Sequence, residues 1–159
     1  MPAHMSRHTA TIGWKREGDF ARKKYHRGHV WRFDGGVEVP AAASPHVVPK
    51  PWTVENAVDP EEALVAAISS CHMLTFLFLA ANDGFVCESY DDDASGLLAD
   101  DGEGQAITEV VLKPRIVWAE GKGPTTEQLA TLHERAHHEC FISRSVKCAI
   151  RVEAPTVQA

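Results

Sequence analysis

Cys71 stands in the middle of the most apolar stretch of this 159-residue chain, and its immediate neighbours are Ser69, Ser70 and His72. A free Cys is among the most buried residue types and behaves as a small hydrophobe, so packing alone would account for Cys71. The neighbours argue otherwise. Each buried hydroxyl or imidazole must find a partner or cost on the order of 1–3 kcal/mol, so an inert core helix would avoid such a cluster. Cys140 follows 69 positions later, and two thiols on separate helices could form a redox pair, although spacing does not show that they meet. Cys87 and Cys148 fall inside strand patterns and read as packing.

A second constellation is His133-Glu-Arg-Ala-His137, the HExxH pattern of zinc peptidases. With Cys140 it places His133, His137 and Cys140 at i, i+4 and i+7, so one helical face could offer three metal ligands. Against a peptidase, few residues follow His137 and no third His stands at metzincin spacing, while nine His in the chain make chance matches easier. The plain alternative is a solvated polar face opposite Leu129, Leu132 and Ala136. Arg22, Lys23, Lys24 and Arg27 form a basic run, most simply a solvated surface, but an Arg beside a thiol would lower its pKa and orient a polar substrate.

The elements that would position these groups can be read from pattern. His8 to Trp14 and Gly28 to Phe33 alternate and are rich in β-branched and aromatic residues, which predicts strands. Pro40, Pro45, Pro49 and Pro51 predict an ordered loop over about 41–56. Asp59-Pro60-Glu61-Glu62 predicts a helix start, with an Asp cap, Pro in the first turn and acidic residues at the positive end of the dipole. Ala63 to Ala81 then carries no charge and at 1.5 Å per residue could almost span a bilayer. Ser69, Ser70, His72 and Thr75 in its middle, with acidic flanks, speak against a transmembrane span. A helix apolar on all sides must be wrapped by protein, which is hard to arrange in one small subunit and points to an oligomer. Strands are predicted over about 85–98 and 106–119, a helix over about 126–140 with a Thr125/Gln128 capping box, and a last strand over 146–152. The order is an α+β pattern in a single domain, 1–159.

Composition excludes other classes. With 16 Lys+Arg against 22 Asp+Glu, net −6, there is no electrostatic footprint for nucleic acid. The 44% apolar content suffices for a core. Four Cys are too sparse for a disulfide scaffold, and Met1 through Tyr25 holds no apolar secretion segment, so a reducing cytosol is expected.

Taken together, Asp59-Pro-Glu-Glu-Ala-Leu-Val-Ala-Ala-Ile-Ser-Ser-Cys-His72 and Ala136-His-His-Glu-Cys-Phe-Ile-Ser-Arg-Ser-Val146 resemble the two Cys-bearing segments of the OsmC/Ohr family of thiol-dependent peroxidases, in its broader OsmC-like branch. The resemblance extends over nearly the whole chain. Asp59 replaces the family's Asn, Phe141 stands where many relatives have Pro, and the spacing around the family's arginine differs, so Arg27 is preferred and Arg22 is the alternative. The resemblance implies antiparallel sheets packed around a long buried central helix in an intertwined homodimer. It also implies reduction of organic hydroperoxides by Cys71, a disulfide with Cys140, and reopening by an external dithiol, without a cofactor. Arg27 would hold the peroxide and stabilise the thiolate, and Glu61 would orient Arg27. Glu61 and Cys71 on one straight helix lie about 15 Å apart along its axis, so direct contact within one chain is impossible and the site would be completed across the dimer. The alternatives are a metal-binding protein using His133, His137 and Cys140, or a non-enzymatic small-molecule binder of the same fold.

Overall fold

The computed structural model describes residues 5–153. Contacts cluster into two units, Met1–Ala63 and Leu64–Ala159.

The first unit holds β1 (Ala10–Gly13), β2 (Gly18–Asp19), β3 (Lys24–Tyr25), β4 (His29–Phe33) and β5 (Glu38–Ala41). Strands β1, β4 and β5 make an antiparallel sheet in that order, with Ile12 opposite Trp31 and Trp31 opposite Val39. Pro40 lies in β5 at the sheet edge, where a missing N–H breaks no ladder. The β2–β3 ladder is possible because residue 18 is glycine. Its φ is +97°, and a Cβ there would lie 2.5 Å from the Lys24 carbonyl oxygen. The proline-rich segment is an irregular loop, as its sequence predicts, and returns to the sheet where Val58 bridges Ala41.

Helix α1 runs from Pro60 to Asn82 and crosses the boundary between the units. Its start is a reciprocal cap: Asp59 Oδ1 accepts the Glu62 N–H at 2.8 Å, and Glu62 Oε2 accepts the Asp59 N–H at 3.2 Å. Replacing Asp59 by Ala is expected to cost about 1 kcal/mol, read as a lower urea midpoint at unchanged m-value. An unchanged midpoint would show that the cap adds nothing.

The second unit continues with β6 (Cys87–Asp92), β7 (Ser95–Asp100), β8 (Gln105–Leu112), β9 (Pro114–Trp118), α2 (Thr126–Glu139) and β10 (Ala149–Val152). The two long strands expected over 85–98 and 106–119 are each broken in two. Their outer parts pair as β6–β9 and their inner parts as β7–β8, both antiparallel. At the break the Lys113 N–H, freed from the ladder, donates to Asp92 Oδ1 at 2.6 Å, and Pro114 opens β9 where no donor is needed. Strand β10 joins β8 in parallel, which corrects an all-antiparallel reading. The connection from β8 passes through β9 and α2, long enough for the crossover that a parallel pair requires.

Ile68, His72, Phe76, Leu79 and Ala80 form the buried stripe of α1. Ile68 packs with Val110 and Leu112 of β8, and Phe76, Leu79 and Ala80 pack with Leu129, Leu132 and Ala136 of α2. Within the single chain the helix is covered on one side only. Leu74 and Phe78 on the other flank remain 61% and 63% exposed. By length and composition α1 could cross a membrane, yet one side is built into a protein core.

Candidate active site: a thiol pair beside buried imidazoles

Helix α2 ends at Cys140, whose backbone turns extended (φ −67°, ψ 120°) while its N–H still donates to the Ala136 carbonyl. A single 3-10 turn, Ser143–Ser145, follows. This geometry brings the fully buried Cys140 side chain against half-buried Cys71 on α1, close enough for each thiol to bias the other's proton. Both are free thiols, as are Cys87 and Cys148. The turn after α2 aims backbone donors at the pair: Ser143 N–H lies 3.4 Å from Cys140 Sγ, and the Ile142 and Phe141 amides reach Cys71.

Burial and the neighbouring Cys140 push the Cys71 thiol above its ordinary value. Burial acts the same way on Cys140, but Cys71 and Ser143 outweigh it and hold Cys140 below. The two thiols titrate as one interacting pair: burial opposes a negative charge there, and the N–H donors of the turn favour it. A cation beside the pair would favour the thiolate of Cys71.

His72, one position past Cys71, is completely buried, and its Nε2 is 3.0 Å from Nδ1 of His133, itself 4% exposed. Phe76 stacks on His133 with ring centroids 4.4 Å apart. His72 Nδ1, His133 Nε2, His137 Nδ1 and Tyr90 Oη are buried without a protein partner. Burial, and then His137, push His72 down to about 4, partly opposed by Asp92. Burial, and then His72, bring His133 to about 4 as well. The polar-face reading of α2 is thus corrected: His133 lies with Leu129, Leu132 and Ala136 on the inward face. Its i, i+4, i+7 spacing with His137 and Cys140 was the available signal, and it marks an inward stripe. Among the described residues no three His, Cys, Asp or Glu side chains are grouped to hold a metal. His133 faces His72 and Cys140 faces Cys71, so the proposed metal face is divided between two other partners.

Cys87 donates to the Ser89 carbonyl and Cys148 packs with the Ile68 cluster, in line with structural roles. Arg27 and Glu61 belong to the first unit. The guanidinium of Arg27 lies 3.7 Å over the Tyr25 ring, and its Nη1 donates to the carbonyls of Lys23 and Tyr25. Among the described residues it makes no ion pair with Glu61, its guanidinium lying back over Tyr25 of β3 instead. Arg22 is instead an exposed partner of Asp19 at 3.7 Å.

Two helices that bring together a pair of free cysteines, with short sheets packed on one side, define a small α+β protein with a dithiol centre. The chain belongs to the OsmC-like family: the family profile described as OsmC-like protein matches residues 53–154. An OsmC-like protein of unknown function from Vibrio cholerae is 47% identical, with a TM-score of 0.92 over 95% of this chain and 100% of that one. An organic hydroperoxide resistance protein from Elizabethkingia anophelis is 18% identical, with a TM-score of 0.70 over 99% of each chain. A protein from Legionella pneumophila described as an organic hydroperoxide resistance protein OsmC is 17% identical, with a TM-score of 0.66 over 95% of this chain and 96% of that one. At such identities the last two establish likeness of fold alone. No curated protein sequence matches the chain.

Proposed function

We propose that the protein is a thiol-dependent peroxidase that reduces organic hydroperoxides to alcohols. The observation that carries this reading is the approach of Cys71 and Cys140, two free thiols close enough to bias each other's proton, one half-buried and the other fully buried. The Cys71 thiolate attacks the outer oxygen of the O–O bond. The alkoxide leaves with a proton as alcohol, and Cys71 becomes a sulfenic acid. The sulfur of Cys140 then displaces hydroxide, which leaves as water, and a Cys71–Cys140 disulfide forms. An external dithiol reduces that bond and is itself oxidised. No cofactor takes part. A reducing compartment such as the cytoplasm suits this cycle, and four free cysteines accord with one.

In this reading Arg27 supplies the cation that Cys71 lacks, and Glu61 takes the ion pair with Arg27 that the single chain does not form. The chain works as one domain, held together by the continuous helix α1, within a homodimer. The uncovered Leu74–Phe78 flank of α1 supports a dimer. Titrating the reduced protein with an organic hydroperoxide is expected to remove two free thiols per chain, at a molecular mass in sedimentation equal to two chains. Unchanged thiols would refute the peroxidase, and full turnover by a monomer would refute the shared site.

A further inference from the structure

The turn that follows Cys140 carries two serines in different surroundings. Ser145 Oγ donates to the Phe141 carbonyl at 2.7 Å, the Ser145 N–H donates to the Ile142 carbonyl at 2.9 Å, and the Arg144 N–H donates to the Cys140 carbonyl at 3.2 Å. These bonds brace the turn from within. Ser143 is left to face the sulfur. Its N–H lies 3.4 Å from Cys140 Sγ, and its hydroxyl is buried with no hydrogen-bond partner among the described residues. Leaving a buried hydroxyl unpaired is costly, so an orphan beside a reactive sulfur points to a partner that another state of that sulfur supplies.

A neutral thiol is a weak acceptor, whereas a thiolate draws every donor in reach. Cys140 would carry such a charge twice in a dithiol cycle. It attacks as a thiolate when the disulfide closes, and it leaves as one when the disulfide opens. Cys140 is 0% exposed and Cys71 half-buried, so an incoming reductant thiolate meets the sulfur of Cys71. The bond from the reductant to Cys71 forms, the Cys71–Cys140 bond breaks, and its electron pair departs on Cys140. Water cannot reach that sulfur, so the protein must supply the donors that its charge requires. Ser143 already favours a negative charge on Cys140.

We propose that Ser143 is the positioning residue of the resolving thiol: its hydroxyl turns onto Cys140 Sγ, beside its own N–H, when that sulfur is charged, and the reductant accordingly opens the disulfide at Cys71. The inference rests on the Cys71–Cys140 pairing of the proposed peroxidase and adds a residue that acts through Cys140 rather than on the peroxide. Because a better leaving thiolate departs faster, the largest effect falls on reduction of the disulfide.

The test closes the disulfide with diamide, which takes up the two electrons and two protons of the thiol pair, in protein whose Cys87 and Cys148 are replaced by Ser so that one pair alone can close. Reduction by dithiothreitol is then followed. Ser143→Ala is expected to slow it at least about threefold, and Ser143→Thr, which keeps the hydroxyl, to restore it. The urea midpoint of the reduced Ser143→Ala protein should not fall, since the hydroxyl it loses had no partner. With 2-mercaptoethanol as reductant, acid quenching and alkylation of the denatured chain should find the mixed disulfide on Cys71 and the alkyl group on Cys140. A wild-type reduction rate in Ser143→Ala would overturn the proposal. So would a slow rate that Ser143→Thr leaves unrestored, a lower midpoint in the reduced Ser143→Ala protein, or a mixed disulfide on Cys140. No peroxide is used, so the result is separate from that of the hydroperoxide titration.

Discussion

Cys71→Ser is expected to lower the rate of organic hydroperoxide consumption by more than about a hundredfold, because a serine hydroxyl has neither the acidity nor the polarisable sulfur that an O–O bond requires. The Cys140→Ser variant should behave differently. It retains the attacking sulfur but removes the one that resolves it, so one equivalent of peroxide is consumed in a single turnover. A sulfenic acid then persists, trappable by a small thiol and prone to further oxidation. Cys87→Ser and Cys148→Ser should leave the rate near wild type, since neither side chain meets the pair. The decisive measurements are peroxide consumption with a dithiol reductant for the Cys71, Cys87 and Cys148 variants, and peroxide consumed by the reduced Cys140→Ser protein with no reductant present. If Cys71→Ser matches wild type, the assignment of Cys71 is wrong. If Cys140→Ser consumes only one equivalent, the same data distinguish a missing resolving thiol from a missing nucleophile.

A second large effect is expected from acid. His72 and His133 titrate near 4 in the folded chain, against about 6.5 for an unfolded histidine. Between those values the unfolded state binds protons that the folded state refuses, so stability falls as pH falls. The contribution is fully present above about pH 6.5 and is progressively lost toward pH 4. One such histidine accounts for about 2 kcal/mol between pH 7.5 and pH 5. The second adds to this, although protonating either ring changes the hydrogen bond that joins them. Besides His133, Asp92 and His137 act on His72, and they pull in opposite directions. Urea midpoints measured from pH 7.5 to pH 5 should therefore decline steeply, and His133→Gln should flatten the decline. A midpoint level across this range would rule out the linkage.

The parts that the sequence made legible share a cause. The start of α1 could be read because Asp59, Pro60 and Glu62 act on the backbone within one turn, and the start of α2 because Thr125 and Gln128 do the same. The thiol pair could be anticipated as a candidate and, through family resemblance, as a partnership, but spacing alone could not bring positions 71 and 140 together. What stayed hidden depends on long-range contact. The breaks at Ala94 and Lys113 follow from which strands pair, and the parallel seat of β10 follows from where α2 delivers it. The inward turn of His133 was hidden for a different reason. Leu129, Leu132 and Ala136 predicted the buried face of α2 correctly, but hydropathy counts a histidine as outward, whereas His72 offers it a partner inside. Arg27 was legible as a candidate and not as a conformation, since nothing local announces that its charge will fold over Tyr25.

The exposed flank of α1 makes protein concentration a working variable. A chain released alone presents Leu74 and Phe78 to water on a helix whose most apolar window has a mean hydropathy of 2.0. An apolar surface left open in this way is a site of association. Anything that covers it adds stability by mass action, so the melting temperature should climb with the amount of protein in the sample and drift downward on dilution. Freshly synthesised chains meet the same condition at its most dilute, and the interval before they find cover is when this otherwise polar, acidic protein is most easily lost.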